Sequence, residues 1–461
     1  MSSEIRVALD KIAFKSTPSI FPSFFPKIPK FDAVVPPSTS PIINEFFITE
    51  LVSVMVIPLP ELFMEAVIFE DALFIADIHG FYDGYGSNRN AALRNAVQAP
   101  ALDPMLLISA LALETEHLGI ACTYSTSYHP PYECARAFSS LDHFTKGRVG
   151  WNIVTSYVKN VYENGLGEML DHDDRYDKAD EYMDVVYKLW ESSWESNAVI
   201  QDTENDIHTD PTKVHEINHD EKFFSVKGPH MCEPSTQRTP LLFQAGASPK
   251  GIEFAAKHAE AVLVRFDSPE HASKRMKLYR DQMESYGRDP SNLKFMMTIT
   301  PVLGETESEA QKKNDEFMKY QSVEGLLSLF GGHTGIDLEG FPHDKPLSTM
   351  DSDGMQFIAK SREGMTINDM VADMPKSRMV GTPAQVADIL ETYYEAGVDG
   401  FNVLTMIQPG SHEDLVDMLV PELQNRGLFR KKYESNTLRE HFFGKGTTLT
   451  TSDHPSSKYR K

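Results

Sequence analysis

The chain has 461 residues, of which 41% are apolar and 10% aromatic, so it can bury a large core as one big domain or two modest ones. Its formal net charge of −23 argues against nucleic acid or an anionic membrane surface as a partner, because both repel an acidic face. Three scattered cysteines, Cys122, Cys134 and Cys232, exclude a disulfide framework and indicate a reducing compartment.

The first sixty-nine residues form an atypical, partly irregular segment. Residues 5–14 alternate weakly and residues 51–57 are a candidate strand, but residues 16–41 are proline-rich and have no helical period. The apolar run at 46–60 contains a glutamate and two prolines and is shorter than the roughly 20 residues of a membrane span. No signal peptide precedes it, so we expect a cytoplasmic protein.

From residue 71 onward, short apolar runs alternate with stretches long enough to be amphipathic helices. Seven runs are candidate strands: 71–77, 118–126, 148–156, 240–248, 260–266, 293–300 and 399–405. The candidate helices between them include 103–117, 131–146, 176–191, 249–259 and 383–396. This alternation, with nearly continuous apolar strands, indicates a parallel α/β fold.

Polar or small residues end most of these strands, as at Asp77, Thr123 to Thr126, Ser156 and Ser248. Polar groups at the carboxyl ends of many strands favour a (β/α)8 TIM barrel over an open doubly wound sheet. An eight-stranded barrel needs one strand more than these seven. The missing strand is the first, which is poorly defined in this chain. A barrel without it exposes two sheet edges.

The barrel domain is predicted to span residues 70–443. Two insertions, 157–239 and 305–380, are long enough to act as lids or binding loops. The last residues, 444–461, are rich in Ser, Thr and Lys and are predicted to be a flexible tail.

A zinc-protease motif is spelled by His215, Glu216 and His219 (H-E-x-x-H), which needs one helix face to bring both histidines to the metal. Pro211 precedes it and residues 223–229 look like a strand, so a continuous helix is not expected. A polar hairpin on the barrel rim is the alternative interpretation, and a zinc hydrolase remains a remote one.

The turn Gln244 to Gly251 joins a strand to a helix through small residues. Ser248 is an N-cap candidate and Pro249 fits the first helical position. The free N–H groups of a helix start suit a phosphate, although many helices begin this way without binding one.

Each of the other candidate site residues has both a functional and a purely structural interpretation. Asn152 lies within an apolar strand, where an unpartnered amide costs roughly 2–7 kcal/mol, so backbone, water or a ligand must satisfy it. His172 and Tyr176 are four residues apart and can share a helix face, or be a surface histidine and a packed tyrosine. Asp77 can be a working carboxylate or a helix cap, and hydroxyls such as Thr123 can simply satisfy backbone.

Together with these candidates, several long motifs resemble the nitrilotriacetate monooxygenase group of the bacterial luciferase-like flavin monooxygenases over roughly residues 70–443. They include HLGIACTYSTSYHPPYECARAFSSLDHFTKGRVGWNIVTS, HDDRYDKADEY, FFSVKGP, LLFQAGASPKGIEFAAKHAE, VGTPAQVADIL and PELQNRGLFRKKYESNTLREHFFG.

The resemblance implies an oxidoreductase: a monooxygenase that binds reduced FMN, takes up O2 to form a flavin C4a-hydroperoxide and oxygenates a small molecule such as an aminopolycarboxylate, a sulfone or an alkane. A separate NAD(P)H:flavin oxidoreductase would supply the reduced flavin, and a homodimer or higher homo-oligomer is expected. By motif, the implied FMN contacts are Asp77, Thr123, Asn152, His172, Tyr176, Ala247 and Ser248. The mechanism requires no protein nucleophile and no metal.

His333 takes the place of a tryptophan common in the family, and it is a candidate for the substrate pocket rather than a catalytic residue. The front of the chain departs from the family, whose members begin with a first strand and a histidine-containing segment at the site floor. A catalytically impaired, flavin-binding relative with a remade N-terminus is therefore the alternative interpretation.

Overall fold

The computed structural model describes residues 52–56, 70–350, 364–373 and 378–461. Eight strands close into a barrel in the order β1-β8-β7-β6-β5-β4-β3-β2. These strands are β1 (Val52–Val56), β2 (Glu70–Ile75), β3 (Gly119–Ser125), β4 (Val149–Val154), β5 (Leu241–Gln244), β6 (Ala261–Val264), β7 (Lys294–Ile299) and β8 (Gly400–Val403). The α/β barrel and the positions of its seven predicted strands are confirmed.

Helices follow or interrupt these strands along the chain. In order they are α1 (Asn90–Arg94), α2 (Pro104–Glu114), α3 (Pro131–Thr145), α4 (Lys159–Tyr162), α5 (His172–Tyr187), α6 (Pro249–His258), α7 (Pro269–Ser285), α8 (Glu307–Met318), α9 (Val323–Thr334), α10 (Ile367–Asp373), α11 (Pro383–Glu395), α12 (Gly410–Asp414), α13 (Val420–Asn425) and α14 (Leu438–Phe443). π-helical turns continue α5 at Lys188–Ser192 and join α12 to α13 at Leu415–Leu419. None of the helices in the described residues has the length and apolar character needed to span a bilayer.

Strand β1 occupies the gap between β8 and β2 and pairs antiparallel with both, whereas the other neighbouring pairs are parallel. The candidate strand at 51–57 is thus present, and the two edges expected of an incomplete barrel are closed. The weakly alternating residues 5–14 and the proline-rich residues 16–41 lie outside the described residues.

The barrel interior is an apolar plug built from alternate residues of several strands and from the helix α14. Its members are Ala72, Phe74, Ala121, Leu241, Phe243, Ala261, Met296, Leu438 and Phe442, with Leu263 packed against them. Residues of opposite parity, such as Trp151 and Val262, pack outward against the helices. Because the backbone N–H of Leu438 donates to Gly147 O just before β4, α14 closes the amino-terminal end of the barrel. The carboxyl ends of the strands form the opposite end, which we call the mouth.

The expectation of a flexible tail at 444–461 is not met. A 3₁₀ helix forms at Pro455–Tyr459, and the buried His454 contacts the carbonyl of His258 through Nε2 at 2.9 Å. Arg460 donates to Glu191 Oε2 at 2.8 Å. The polar composition of this segment anchors it to buried polar partners rather than leaving it in solvent.

The two insertions contain helices, α5 in the first and α8 and α9 in the second, together with short strands. Within the first, strands Val199–Asp202 and Ile207–Thr209 pair, as do His219–Asp220 and Ser225–Val226. In and next to the second, Pro301–Leu303 pairs with Met379–Gly381. Residues 351–363 and 374–377 of the second insertion lie outside the described residues.

Candidate active site

Thr123 and Asn152 face the interior of the barrel at its mouth. Ala121 lies in the apolar plug, so Thr123, two residues further along β3, points to the same side. A Cβ built on Gly150 would lie 2.6 Å from the Phe243 ring inside the barrel, and Asn152 shares that parity on β4. The two residues are paired in register and meet above the plug.

The Asn152 amide is only half satisfied. Its Nδ2 donates to Thr123 Oγ1 at 2.9 Å, whereas its Oδ1 is buried with no hydrogen-bond partner among the described residues, and the residue is 5% exposed. An unpartnered buried acceptor costs roughly 1–3 kcal/mol in a protein. The amide therefore retains one position for a hydrogen-bond donor from a ligand in the mouth.

A second group of predicted residues gathers where β5 passes into α6. Ser248 caps α6 by accepting from Gly251 N at 3.0 Å, and His172 Nε2 lies 3.3 Å from Ser248 Oγ. The His172 ring packs edge-on against Tyr176 at 5.2 Å between centroids. The predicted N-cap, with proline at the first helical position, is confirmed.

Glycines shape a cradle under the Tyr176 hydroxyl. A Cβ added to Gly246 would lie 2.8 Å from Tyr176 Oη, and one added to Gly251 would lie 3.1 Å from it. Any side chain at these positions would fill the space between the hydroxyl and the start of α6. Within the described residues the Tyr176 hydroxyl makes no hydrogen bond, so this donor and the free N–H groups of the helix start face one small concavity.

The remaining two predicted contacts, Asp77 and Ala247, have other hydrogen-bond partners. Asp77 Oδ2 lies 3.1 Å from His79 Nδ1, and this hydrogen bond raises the pKa of His79. No hydrogen bond or ion pair within the described residues joins Asp77 to Thr123 or to Tyr176. Ala247 contributes its carbonyl, which accepts from Arg275 Nη2 on α7 at 3.1 Å.

His333 lies in the last turn of α9, above the mouth. Its ring meets the Tyr82 ring edge-on at 5.4 Å, and the Tyr82 hydroxyl is 3.2 Å from that of Tyr157. Desolvation lowers the pKa of His333, and the positive charge of Arg265 lowers it further. The imidazole, although accessible, is therefore surrounded by protein and lies near a strand-end arginine.

Three segments far apart in the chain form a cover beside the mouth: the loop after β2, the start of the first insertion and α9. Asn160 Nδ2 donates to Phe81 O at 2.6 Å, which joins the first two segments. Gly84 and Gly331 pack so closely that a Cβ on Gly84 would lie 2.4 Å from Gly331 O. A small apolar cluster, which includes Tyr82, Val158, Val161 and Leu329, fills the space between the three segments.

Three further polar residues face the mouth and were not selected from the sequence. Arg265 follows β6, Thr298 lies near the end of β7 and Asn402 lies near the end of β8. The sequence signal that could have identified them is a polar residue at the carboxyl end of a barrel strand, which was applied only to the earlier strands.

The structure does not support a zinc site at the H-E-x-x-H motif of His215, Glu216 and His219. His215 Nε2 contacts Glu195 at 2.9 Å, whereas the buried His219 contacts Glu181 at 3.3 Å, and the motif lies in a loop that enters a hairpin rather than on a helix. Within the described residues no group of three or more His, Cys, Asp or Glu side chains is arranged to hold a metal ion. The predicted hairpin is confirmed at 219–226.

Comparison with known proteins identifies the family. The model of the luciferase-like monooxygenases matches residues 71–400. Long-chain alkane monooxygenase of Geobacillus thermodenitrificans is 48% identical over 394 residues, covering 85% of this chain and 87% of that protein. Nitrilotriacetate monooxygenase component A of Aminobacter aminovorans is 37% identical over 392 residues, covering 80% and 86%. The resemblance is confirmed for the family, but the nitrilotriacetate group is not singled out.

Solved structures agree with the barrel. The crystal structure of long-chain alkane monooxygenase (LadA) has a TM-score of 0.79 at 46% identity and covers 85% of this chain and 88% of its own. Riboflavin lyase (RcaE), solved with modified FMN and riboflavin, has a TM-score of 0.78 at 34% identity and covers 85% and 89%. The chain therefore belongs to the luciferase-like monooxygenases and is an oxidoreductase of the flavin-dependent monooxygenase class.

Proposed function

We propose that this protein binds reduced FMN at the barrel mouth and uses it with O2 to insert one oxygen atom into a small organic substrate. The observation that carries the proposal is the buried Asn152 Oδ1, which has no partner in the described residues and faces the mouth. A flavin ring offers hydrogen-bond donors and acceptors along one edge, and the half-satisfied amide fits such an edge.

The cradle at the start of α6 suits the phosphate of FMN. Ser248 and Tyr176 would hold the phosphate, with His172 beside Ser248, because hydroxyl donors and the free N–H groups of a helix start favour an anion. Thr123 and Asn152 would hold the ring. Asp77 and Ala247 are proposed contacts by family resemblance, since their own described contacts lie with His79 and Arg275. Riboflavin lyase, whose fold is similar, was solved with a modified FMN, which supports this choice of cofactor.

When bound, reduced FMN supplies the electrons that activate O2. The protein's own contribution is to orient the ring and to exclude water. The cover formed by the loop after β2, the start of the first insertion and α9 suits the second task, because its apolar cluster lies beside the mouth. His333 is proposed to line the substrate pocket from the cover.

The proposed partners are a separate NAD(P)H:flavin oxidoreductase, which delivers reduced FMN, and a second copy of the chain. Exposed leucines on or near α2 support self-association, because large apolar groups seldom lie bare in clusters on a monomer. They are Leu102, Leu106, Leu107 and Leu113. The buried free thiols Cys122 and Cys134 support a cytoplasmic location.

The test is FMN binding to the purified chain, oxidised and photoreduced, by fluorescence and anaerobic titration. We expect micromolar or tighter binding of the reduced form, weakened about 10-fold or more by Asn152→Ala and by Ser248→Ala, since each removes a ligand hydrogen bond.

Ser268→Ala is the matched control for Ser248→Ala. Ser268 caps α7 by accepting from His271 N at 3.1 Å, so both substitutions remove a helix cap, at a typical cost of about 1 kcal/mol in stability. Only Ser248→Ala should weaken FMN binding. A folded wild-type chain that binds no FMN would overturn the proposed function. Tight binding without oxygenation of any alkane, sulfone or aminopolycarboxylate would identify a flavin-binding relative.

A further inference from the structure

A second arc of polar side chains lies at the mouth, across three neighbouring strands. The pairing of β6 with β7 runs from Ala261 with Lys294 to Val264 with Met297, so the next residue, Arg265, comes beside Thr298. Thr298 is paired in turn with Asn402 on β8. Arg265, Thr298 and Asn402 therefore follow one another in a row, on different strands from Thr123 and Asn152.

The direction of the Arg265 side chain follows from the alternation along β6. Ala261 and Leu263 belong to the apolar plug inside the barrel, whereas Val262 and Val264 pack outside it. Phe266 also packs in the outer cluster, so the alternation continues past the end of the strand. Arg265 is thus on the interior side and extends over the mouth.

The Arg265 guanidinium has no counter-charge in the described residues. No ion pair or hydrogen bond is formed there, and the nearby Asp267 faces His271, 3.4 Å from its Nδ1. Desolvation lowers the pKa of Arg265, although the residue is exposed to solvent. The guanidinium is on the interior side of the barrel and open to solvent, so a dissolved ligand can reach it at the mouth. In a chain with 67 acidic and 44 basic residues, an arginine at the mouth without a counter-charge among the described residues points to an anion from outside.

Asn402 provides an independent sign of a ligand. The residue is 4% exposed, its Nδ2 lies 3.4 Å from Thr298 Oγ1, and its Oδ1 is buried without a partner in the part of the chain that the structure describes. The Thr298 hydroxyl can either donate or accept, so the amide can turn either of its ends toward the mouth. In both orientations one polar atom of the buried amide has no partner within the described residues, in the same row of side chains as Arg265.

We propose that Arg265, Thr298 and Asn402 bind an anionic group of the substrate, a carboxylate or a sulfonate. This inference rests on the proposed function, because it assigns the flavin to the arc of Thr123 and Asn152 and the substrate to the opposite arc. Arginine pairs with planar or tetrahedral oxyanions through two parallel hydrogen bonds, which fixes orientation as well as charge. The substrate is therefore a small organic acid rather than a neutral hydrocarbon.

The experiment compares probes that differ only in charge. Hexanoate and hexane-1-sulfonate are titrated against hexan-1-ol, by calorimetry with the apo protein and by the absorbance change of bound oxidised FMN. We expect both anions to bind and hexan-1-ol to bind at least 10-fold more weakly. Arg265→Met should weaken anion binding about 10- to 100-fold, since it removes a charge-assisted hydrogen-bond pair, while Arg265→Lys retains part of it.

Two controls separate this inference from the proposed function. Arg136→Met, on the exposed surface of α3, should change nothing, and the affinity for FMN should stay within about 2-fold in all three variants. The inference is wrong if Arg265→Met instead weakens FMN binding 10-fold and if hexanoate and hexane-1-sulfonate bind no more tightly than hexan-1-ol. In that case the guanidinium contacts the flavin. Equal anion binding by wild type and Arg265→Met, or none by wild type, also overturns it. Because the apo titration needs no flavin, it gives a result even if the chain binds no FMN.

Discussion

Two arginines at opposite ends of the barrel have opposite surroundings. Arg439, on α14 at the closed end, is 1% exposed and donates to both carboxylate oxygens of Glu260 at 2.8 and 2.9 Å. It also donates to the carbonyls of Thr239 and Thr448, at 2.9 and 2.8 Å. Arg265, at the mouth, has neither an ion pair nor a hydrogen bond within the described residues.

The amides at the two ends differ in the same way. At the closed end the fully buried Gln237 donates through Nε2 to Asp142 Oδ1 at 2.7 Å and to Val149 O at 2.9 Å. At the mouth Asn152 and Asn402 each leave an oxygen that no described residue contacts by a hydrogen bond. Arg439 and Gln237 are thus fully engaged at the closed end, whereas the amides of Asn152 and Asn402 are only half satisfied within the described residues at the mouth, so these groups separate stability from function along the barrel axis.

The largest expected effect is at the closed end. Arg439→Met would leave the buried Glu260 carboxylate without its counter-charge, and the loss of one partner of a buried pair typically costs about 3–5 kcal/mol. Urea denaturation of both proteins measures this loss as a lower transition midpoint. Lys277→Met, in the exposed pair of Lys277 with Asp281, is the control and should cost under about 1 kcal/mol.

The double variant Arg439→Met/Glu260→Met sharpens the test. It removes both charges together, so it should recover a large part of the stability lost in the single variant. A single variant as stable as Lys277→Met would contradict a stabilising role for the closed end.

The next effect is a loss of stability in acid from the closed end. Burial, followed by the positive charge of Arg430, lowers the pKa of His441 to about 3, from about 6.5 in an unfolded chain. Between these values the unfolded state binds a proton at His441 that the folded state does not bind. The contribution of His441 to the free energy of unfolding is therefore complete above pH 6.5 and falls as the pH decreases. At pH 4.5 this one group removes about 3 kcal/mol.

His441→Gln should therefore unfold with a weaker pH dependence between pH 7 and 4.5 than wild type. The melting temperature, recorded by circular dichroism across this range, measures the difference. His208→Gln, on an exposed strand of the first insertion, is the control and should behave as wild type. An unchanged pH dependence in His441→Gln would mean that other groups dominate the acid response.

A smaller and local effect is expected in the cover. A Cβ on Gly332 would lie 2.1 Å from Tyr82 Cγ, so Gly332→Ala must displace the ring or the helix α9, at a cost of about 1–3 kcal/mol. Hydrogen exchange should increase in α9 and in the loop after β2, while the barrel strands stay protected. Gly410→Ala, where the added Cβ would meet the flexible end of Ile407 at 3.3 Å, should change neither region. Uniform loss of protection would contradict a separate cover.

The sequence predicted the barrel, its seven parallel strands and the Ser248 cap because these depend on local patterns. The sequence could identify Arg265 as a polar residue at a strand end, but it could not show which face of the sheet this side chain lies on, because β6 is apolar on both faces. The prediction of a flexible tail at 444–461 was wrong for a related reason: His454 and Arg460 are hydrogen-bonded to residues 196 and 269 positions earlier in the chain. Composition reports such a segment as polar without revealing its distant partners.

The smallest expected effect is that of Arg265→Met on stability. Desolvation lowers the pKa of Arg265, which means that the charged form is held at a cost, and its replacement removes no ion pair with any described residue. The same substitution that costs about 3–5 kcal/mol at Arg439 should therefore leave the melting temperature unchanged or raise it by a degree or two. A decrease comparable with that of Arg439→Met would reveal a structural partner for the guanidinium and would remove the contrast between the two ends. If Arg265→Met keeps or raises the melting temperature and loses anion binding, the charge of Arg265 contributes to ligand binding rather than to stability.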